Sequence, residues 1–426
     1  MRQFIVIGAG IAGIAIAELL QRSGRSVLLL EAKDQVCSDS SAHQQGWFHT
    51  GALYAALPTN SFFRIMVGNL DDLFSYYSCF ENMNLRVGRN IYTSKLDGWF
   101  SNSMNLYAYA SPKEREIPLA IKPLWWLAIK RAQRRLAWFE NLNFNEELSK
   151  QVRLIEKKVS VNLVKRDGDL GFDLEQLSCV LKSRDRTMDS TLIATDLLRS
   201  FLGNGGEFKA NARVKAIEGG CVVTERGESH RANHVVVASG HQASMLGGVD
   251  MKIYASPIVV AYPALTTVNF VRMTPKIDRT INHIYHRAGK YEYSLFGNAL
   301  YYDWERIKKD KAYKEEISQA VIKRIGKVFP GRMSQTKTKV YFGIKAEVVN
   351  SGQLRNYQYH IIDTENCTVA LPGKFSLAFS LAVNLCKHFG IEPLRDGLNL
   401  SPPETVENVI ARQRHFEFGT KLSQMV

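Results

Sequence analysis

The sequence predicts an α/β (α+β) protein of two parts, one on a parallel sheet covered by helices and one on an antiparallel sheet. Three observations predict it. The chain opens with a strand, a glycine run, a helix and a second strand within residues 4–31. Buried strands return near 234–240 and 368–371, the second leading through Pro-Gly into a helix. Between these returns, residues 251–340 alternate aromatic and β-branched runs, as a curved antiparallel sheet does.

Phe4 to Ile7 are an apolar, β-branched-rich run, followed at once by Gly8-Ala9-Gly10-Ile11-Ala12-Gly13. Ile14 to Arg22 read as a helix that Gly24 is placed to end, and Val27 to Leu30 form a second buried strand closed by Glu31. This is a Rossmann-like βαβ unit with an acidic residue about twenty positions past the glycines. Gly8 allows the tight turn out of the strand. Gly10 has no Cβ to hold off a pyrophosphate, and Gly13 lets the helix pack close to the sheet. The helix start offers N–H groups and a positive dipole end to phosphates, and Glu31 can accept from ribose hydroxyls. An ordinary glycine-rich βα turn is the plainer alternative. The full order of strand, glycines, helix, strand and acid favours a nucleotide site.

With 426 residues, two domains are expected. Hydrophobic content of 45% and charged content of 23% suit a globular enzyme, and no apolar run reaches the length of a membrane span. The apolar start is broken by glycines, unlike a signal peptide. Six cysteines lack CxxC pairing, which argues against a disulfide framework or a metal site and for a reducing, cytoplasmic setting. The net charge of +14 fits an anionic substrate, an anionic membrane surface or nucleic acid, and a merely solubilising surface equally. No nucleic-acid motif is present, so no nucleic-acid partner is expected.

After the loop at 32–36 comes Ser-x-His-x-x-Gly-x-x-His-x-Gly-x-x-Tyr at 41–54. Its glycines exclude a simple helix and suggest a loop, a short strand and a turn lying on a ligand. Together with Gly8, Gly10, Gly13 and Glu31, this stretch resembles the FAD-dependent D-amino-acid oxidase superfamily. Within it the motif looks most like the L-2-hydroxyglutarate dehydrogenase/oxidase branch, with glycerol-3-phosphate dehydrogenases more distant. Gln44-Gln45 and Trp47-Phe48 are bulkier than the branch's usual residues. The resemblance implies an FAD-binding domain of the glutathione-reductase type 2. It implies FAD contacts at Gly8, Gly10, Ile11, Ala12 and Gly13, at Glu31, Ala32 and Lys33, and at Ser41, His43 and Gln44. It places His49 on the substrate side of the flavin ring, with His43 as cofactor packing.

Farther along, Arg86 to Thr93 and Val152 to Val164 can supply strands. The stretch 118–139 is basic and tryptophan-bearing, read as a helix after Pro123 with Lys130, Arg131, Arg134 and Arg135 clustered. Such a helix either packs its aromatic side on its own domain or lies on an anionic membrane; contact with an acidic carrier protein is a further option. Asp189 can cap a helix running to Leu202. A hairpin at 207–231 and the buried strand 234–240 follow, and the resemblance implies FAD contacts at Val214, Ser239 and Gly240. Lys308 to Val328 read as one amphipathic helix, and Val340 to Glu347 as a strand. Thr368 to Leu371, Pro372-Gly373 and a helix from Ala378 to His388 resemble the superfamily's C-terminal flavin segment. There Gly373, Lys374, Phe375, Ser376 and Leu377 would face the flavin, and a helix start would stabilise the charge of the reduced ring. The expected layout is a discontinuous FAD-binding domain (1–85, 186–250 and 341–426) and a substrate domain (86–185 and 251–340).

Oxidising a C–H bond with flavin needs a base for the adjacent O–H or N–H and an anchor for the substrate's anion. His49 is the candidate base, since its ordinary pKa suits proton transfer near neutrality. Lys345 and Arg355 are the candidate anion anchors, assisted by Tyr357, Tyr359 and His360; Lys345 has a second option in promoting electron transfer to oxygen. The expected function is an FAD-dependent dehydrogenase or oxidase acting on a 2-hydroxy acid-like CH–OH or a CH–NH substrate, with oxygen or a quinone as acceptor. An amine or amino-acid oxidase of the same fold is the nearest alternative, ahead of a tailoring flavoprotein for a carrier-bound or larger substrate and of a flavoprotein without turnover. The Trp-x-Trp-x-Ile-Pro run of flavin halogenases and the C-terminal Gly-Asp segment of flavin hydroxylases are absent.

Overall fold

The computed structural model describes residues 2–59, 61–86, 91–103, 105–113, 117–140, 177–349, 356 and 358–424. The strand expected at 152–164, Arg355 and Tyr357 lie outside the described residues.

The first sheet is parallel at its centre. Arg2–Ile7 runs between Val27–Leu30 and the second half of Ser229–Val237, both parallel to it. Glu207–Lys209 extends one edge beside Val27–Leu30, and Thr368–Leu371 pairs in parallel with Val236 and Val237. His360–Asp363 lies antiparallel outside Thr368–Leu371. The first half of Ser229–Val237 is antiparallel to Cys221–Thr224, which forms the expected hairpin with Val214–Glu218. Central strands covered on both faces read as unbroken apolar runs, as 4–7, 27–30 and 235–237 do.

The helix Ile11–Arg22 is buried along almost its whole length, between this sheet and the helices Ser190–Gly203 and Ala378–His388. It begins three residues earlier than expected, because Gly10 is its N-cap, and Gly24 past its end has φ +79°. Asp189 caps Ser190–Gly203 as expected, accepting from the Leu192 N–H at 2.9 Å. Inside this packing Glu18 and Arg22 form a fully buried pair at 2.6 Å. Arg22 also donates to the Tyr76 carbonyl, and Ser200 donates to Glu18, so the pair joins three helices without an unpaired charge.

The second sheet is centred on Lys252–Tyr262, which pairs antiparallel with Lys337–Glu347 along all eleven of its residues. The order continues through Tyr291–Asn298, Ile281–Ala288, Asn269–Met273, Asn105–Ala110 and Leu177–Ser183. The pair Asn269–Met273 and Asn105–Ala110 is parallel; the other pairs of the sheet are antiparallel. The two runs expected at 253–255 and 258–262 form one strand through Pro257. On one edge that strand pairs with Tyr302–Asp303 up to Ala255 and with Tyr291–Asn298 from Ile258. Pro257 sits at the handover, where a missing N–H costs no bond on that edge.

Two sequence boundaries shift. The expected division at 341 falls inside Lys337–Glu347, a strand of the second sheet. The helix expected over 308–328 is two, Trp304–Lys309 and Lys311–Val328, because the Asp310 side chain caps the second by accepting from the Tyr313 N–H at 2.9 Å. The C-terminal helix Arg414–Ser423 packs on the second sheet, and the backbone before it holds the glycine-side loop. Val36 donates to the Val409 carbonyl, Ala411 to Val36, and Arg414 to Ala42, at 2.8, 3.0 and 2.9 Å.

Candidate active site

A long cleft opens at the C-terminal ends of Arg2–Ile7 and Val27–Leu30 and runs toward the second sheet. Open parallel sheets bind ligands at this edge. At its first end Gly8 turns the chain with φ +99°, and a Cβ there would stand 2.8 Å from the Ser239 Cα. A Cβ on Gly13 would stand 1.8 Å from the Gly8 carbonyl oxygen, so Gly13 sets the contact between helix and turn rather than lining the cleft. A Cβ on Gly10 would meet only the Ser41 hydroxyl, at 3.4 Å. Ser41 Oγ accepts from the Ile11 N–H at the helix start. The Glu31 carboxylate accepts from the Ala9 N–H at 2.7 Å and the Lys33 N–H at 3.0 Å, which holds the glycine turn and its own loop together. A carboxylate has about four acceptor positions, so it retains capacity for ribose hydroxyls.

The other end is built where two short strands meet. Trp47–Phe48 pairs antiparallel with Arg186–Thr187, which brings Asp185 beside His49. Asp185 is wholly buried and accepts four hydrogen bonds. Thr50 N–H and Thr50 Oγ1 reach one oxygen, each at 2.8 Å; His49 Nδ1 at 3.0 Å and the Tyr107 hydroxyl at 2.6 Å reach the other. Burial alone would raise the Asp185 carboxyl, but these donors outweigh it and hold it below the ordinary carboxylate range. An ionised carboxylate only accepts, so His49 Nδ1 carries the proton and Nε2 carries the lone pair. His49 is pushed below the ordinary histidine value, first by burial, which Asp185 opposes and the nearby Lys374 and Lys345 reinforce. The Trp47 ring stacks on His49, with centroids 5.9 Å apart and planes 8° apart.

Two lysines converge on this end from separate elements. Lys345 comes from the strand Lys337–Glu347, with Nζ 5.3 Å from the Tyr301 ring centre. Lys374 follows Gly373, whose φ of +63° turns the chain out of Thr368–Leu371, and its Nζ lies 5.5 Å from the Tyr54 ring centre. A 3₁₀ turn, Phe375–Leu377, then precedes the helix at Ala378. Among the described residues that line the cleft, four buried polar atoms have no hydrogen-bond partner: Ser239 Oγ, Ser376 Oγ, Trp47 Nε1 and Asn282 Oδ1. Each such group costs about 1–3 kcal/mol unless a ligand meets it.

Most of the residues picked out in the sequence line this one cleft. At the first end these are Gly8, Gly10, Ile11 and Ala12, then Glu31, Ala32 and Lys33, with Ser41 and Gln44 beyond them. Val214, Ser239 and Gly240 line it from the returning strands, and Gly373, Lys374, Phe375 and Ser376 from the C-terminal segment, with His49 and Lys345 at the far end. His43 does not line it: its Nδ1 donates to the Asp39 carbonyl at 2.9 Å and its ring meets Tyr341 edge-on. Leu377 is core, with no exposed surface. Tyr359 and His360 also stand outside the cleft, since His360 begins the outer strand of the first sheet and bonds to Asn356 Nδ2. Sequence reasoning missed Asp185, and missed Asn282 and Met188 in the cleft wall. Asp185 lies in a run of alternating charges, Arg184-Asp185-Arg186, that reads as an exposed turn. Only the pairing of 47–48 with 186–187 marks it.

Among the described residues, no group of three His, Cys, Asp or Glu stands close enough to hold a metal ion. All six cysteines are free thiols.

Known structures share this fold. L-proline dehydrogenase from P. horikoshii superposes with a TM-score of 0.63 at 14% identity, covering 96% of this chain and 99% of that one. Glycine oxidase from Bacillus cereus gives 0.61 at 12% identity, covering 97% and 99%. Among curated proteins, the tRNA 5-methylaminomethyl-2-thiouridine biosynthesis bifunctional protein MnmC of Burkholderia lata is 48% identical over 48 residues, which span 11% of this chain and 7% of that protein. The model of the DAO family, FAD dependent oxidoreductases, matches residues 3–354. With that match across most of the chain, and a cleft whose glycine turn, acid and unpaired hydroxyls suit a dinucleotide, this protein belongs to the DAO family of FAD-dependent oxidoreductases.

Proposed function

We propose that this enzyme oxidises a small 2-hydroxy acid, with His49 as the base for the substrate O–H. Bound FAD supplies the hydride acceptor. Glu31, Ala32, Lys33 and Val214 would hold the adenosine end. Gly8, Gly10, Ile11 and Ala12, with Ser41, Gln44, Ser239 and Gly240, would hold the pyrophosphate. Gly373 to Ser376 would face the ring, where Ser376 Oγ lacks any other partner.

The observation that carries the substrate reading is the His49–Asp185 pair at 3.0 Å. An amine loses its ammonium proton to solvent in a step before hydride transfer, even though the ammonium form predominates near neutrality, so its oxidation needs no dedicated base. An alcohol does not, and its O–H must pass a proton to a positioned acceptor as the C–H bond breaks. The Asp185 carboxylate fixes the tautomer that leaves His49 Nε2 free to accept, and stabilises the imidazolium that results. Lys345 and Lys374 would hold the substrate carboxylate. They also favour the neutral imidazole before the substrate arrives. 2-Hydroxyglutarate, the substrate of the branch that the 41–54 motif resembles, is the first compound to test, with oxygen or a quinone as acceptor.

A second reading, oxidation of an amine or amino acid, draws on the names of solved neighbours, which include L-proline dehydrogenase, glycine oxidase and an L-amino acid deaminase from Proteus myxofaciens. The test is anaerobic mixing of the yellow holoenzyme with each substrate class while flavin absorbance is followed. Bleaching by 2-hydroxy acids is expected. Bleaching by amines alone would replace the first reading with the second.

A further inference from the structure

We propose that the segment from Pro118 to Arg134 docks this protein on an anionic lipid bilayer. The proposal is independent of the substrate reading. The segment is a 3₁₀ turn, Leu119–Ile121, running into the helix Lys122–Glu140. Its inward stripe is well fixed. Trp125, Ile129, Ala132 and Leu136 are buried, and Trp125 Nε1 donates to the Ala110 carbonyl at 2.9 Å. Arg131 and Arg135 also turn inward, donating to the Ala56 and Leu57 carbonyls at 2.8 Å each. The helix is therefore held in one rotation, and the face it turns outward is a consequence of that packing.

That face is apolar. Leu119 is 81% exposed, Leu124 67% and Trp126 49%, with Ile121 and Leu127 beside them. These five are half of the ten large exposed hydrophobic side chains among the described residues, so the apolar surface is gathered here rather than scattered. From Ile117 to Ala132 the polar side chains are all cations, namely Lys122, Lys130 and Arg131. Lys130 is exposed, with Nζ 5.5 Å from the Trp126 ring centre, and Arg134 is exposed one turn further on. Acidic residues are absent from 117 to 139. A protein interface of this size carries a mixed polar rim with donors and acceptors. A bilayer surface needs neither: leucines enter the acyl boundary, Trp126 lies at headgroup level, and the exposed Lys130 and Arg134 meet lipid phosphates. The contact proposed is a peripheral one; among the described residues no helix is long and apolar enough to cross a membrane.

The test is co-sedimentation of the flavin-loaded protein with phosphatidylcholine vesicles, with and without phosphatidylglycerol. Binding to the phosphatidylglycerol vesicles, weakened by salt, is expected. Lys130→Gln and Arg134→Gln should each weaken it about fivefold. Leu124→Asp and Trp126→Asp should each weaken it at least tenfold. Leu119→Asp, outside the helix and almost wholly in solvent, is a further variant that leaves the inward stripe intact. Retained flavin and an unchanged Tm identify variants that fold. No sedimentation of the wild type, equal binding to vesicles without phosphatidylglycerol, or equal binding by folded Asp variants would overturn the proposal. So would a dimer that Leu124→Asp dissociates in the absence of any vesicle binding, since the patch would then cover a second copy of this chain.

Discussion

Asp185 lies 136 residues from His49 along the chain and 3.0 Å from it in the fold. Its second oxygen takes the Thr50 N–H and hydroxyl, so the same carboxylate fixes both the backbone after His49 and the imidazole itself. Tyr107 adds a fourth bond from the second sheet. The pair thus stands where Trp47–Phe48, a short strand following the glycine loop, pairs with Arg186–Thr187 beside the end of the second sheet.

His49→Ala should slow flavin reduction by a 2-hydroxy acid about 10²–10⁴-fold while bound FAD is kept. Stopped-flow absorbance under anaerobic conditions measures this. An unchanged rate removes His49 from the reaction.

The acid limb of kcat/KM should fall below the ordinary histidine value of about 6.5. The sign follows from the active form being neutral. Burial and the two lysines disfavour the imidazolium, so the base stays unprotonated to lower pH than a free histidine. Asp185→Asn removes the group that favours the cation and should move the limb lower still, besides reducing the rate. Lys374→Met removes a repelling charge and should move it upward. A pH profile whose limb ignores both substitutions assigns it to another group.

Lys345→Met should raise KM for a carboxylate substrate by roughly 10–100-fold, the worth of one charge-assisted hydrogen bond. Flavin content should stay unchanged. Steady-state kinetics on the neutral amide of the same substrate supply the control, where the effect should vanish.

Gly10→Ala and Gly13→Ala should separate ligand from fold. The Gly13 Cβ would meet the Gly8 carbonyl at 1.8 Å, so the turn must shift, at a cost of about 1–3 kcal/mol or more, and Tm should fall. The Gly10 Cβ meets only Ser41 Oγ at 3.4 Å within the protein, so Tm of the apoprotein should hold while FAD affinity drops. Equal loss of Tm in both would place the role of Gly10 in folding rather than in ligand approach.

The βαβ unit, the Asp189-capped helix, the hairpin at 214–224 and the strand–Pro–Gly–helix return were all legible in the sequence. Each is encoded by neighbours in the chain: apolar period, glycines at turns, a cap just before a helix. The first half of the cleft was legible for the same reason, because its glycines and Glu31 belong to one local unit. What stayed hidden depends on pairing between distant segments. Nothing near Asp185 announces His49; the register of 47–48 against 186–187 does. Lys337–Glu347 reads as a strand in isolation, but its eleven-residue match to Lys252–Tyr262 decides which sheet it joins. The Trp-bearing helix was legible as amphipathic and basic, yet which face turns outward was decided by Trp125, Arg131 and Arg135 finding carbonyls from other elements. By itself the sequence determined a dinucleotide-binding unit and the residue types available for chemistry. Tertiary structure decided which of those residues share a site, because hydrogen-bond register and burial, unlike helical or strand period, are properties of segments far apart in the chain.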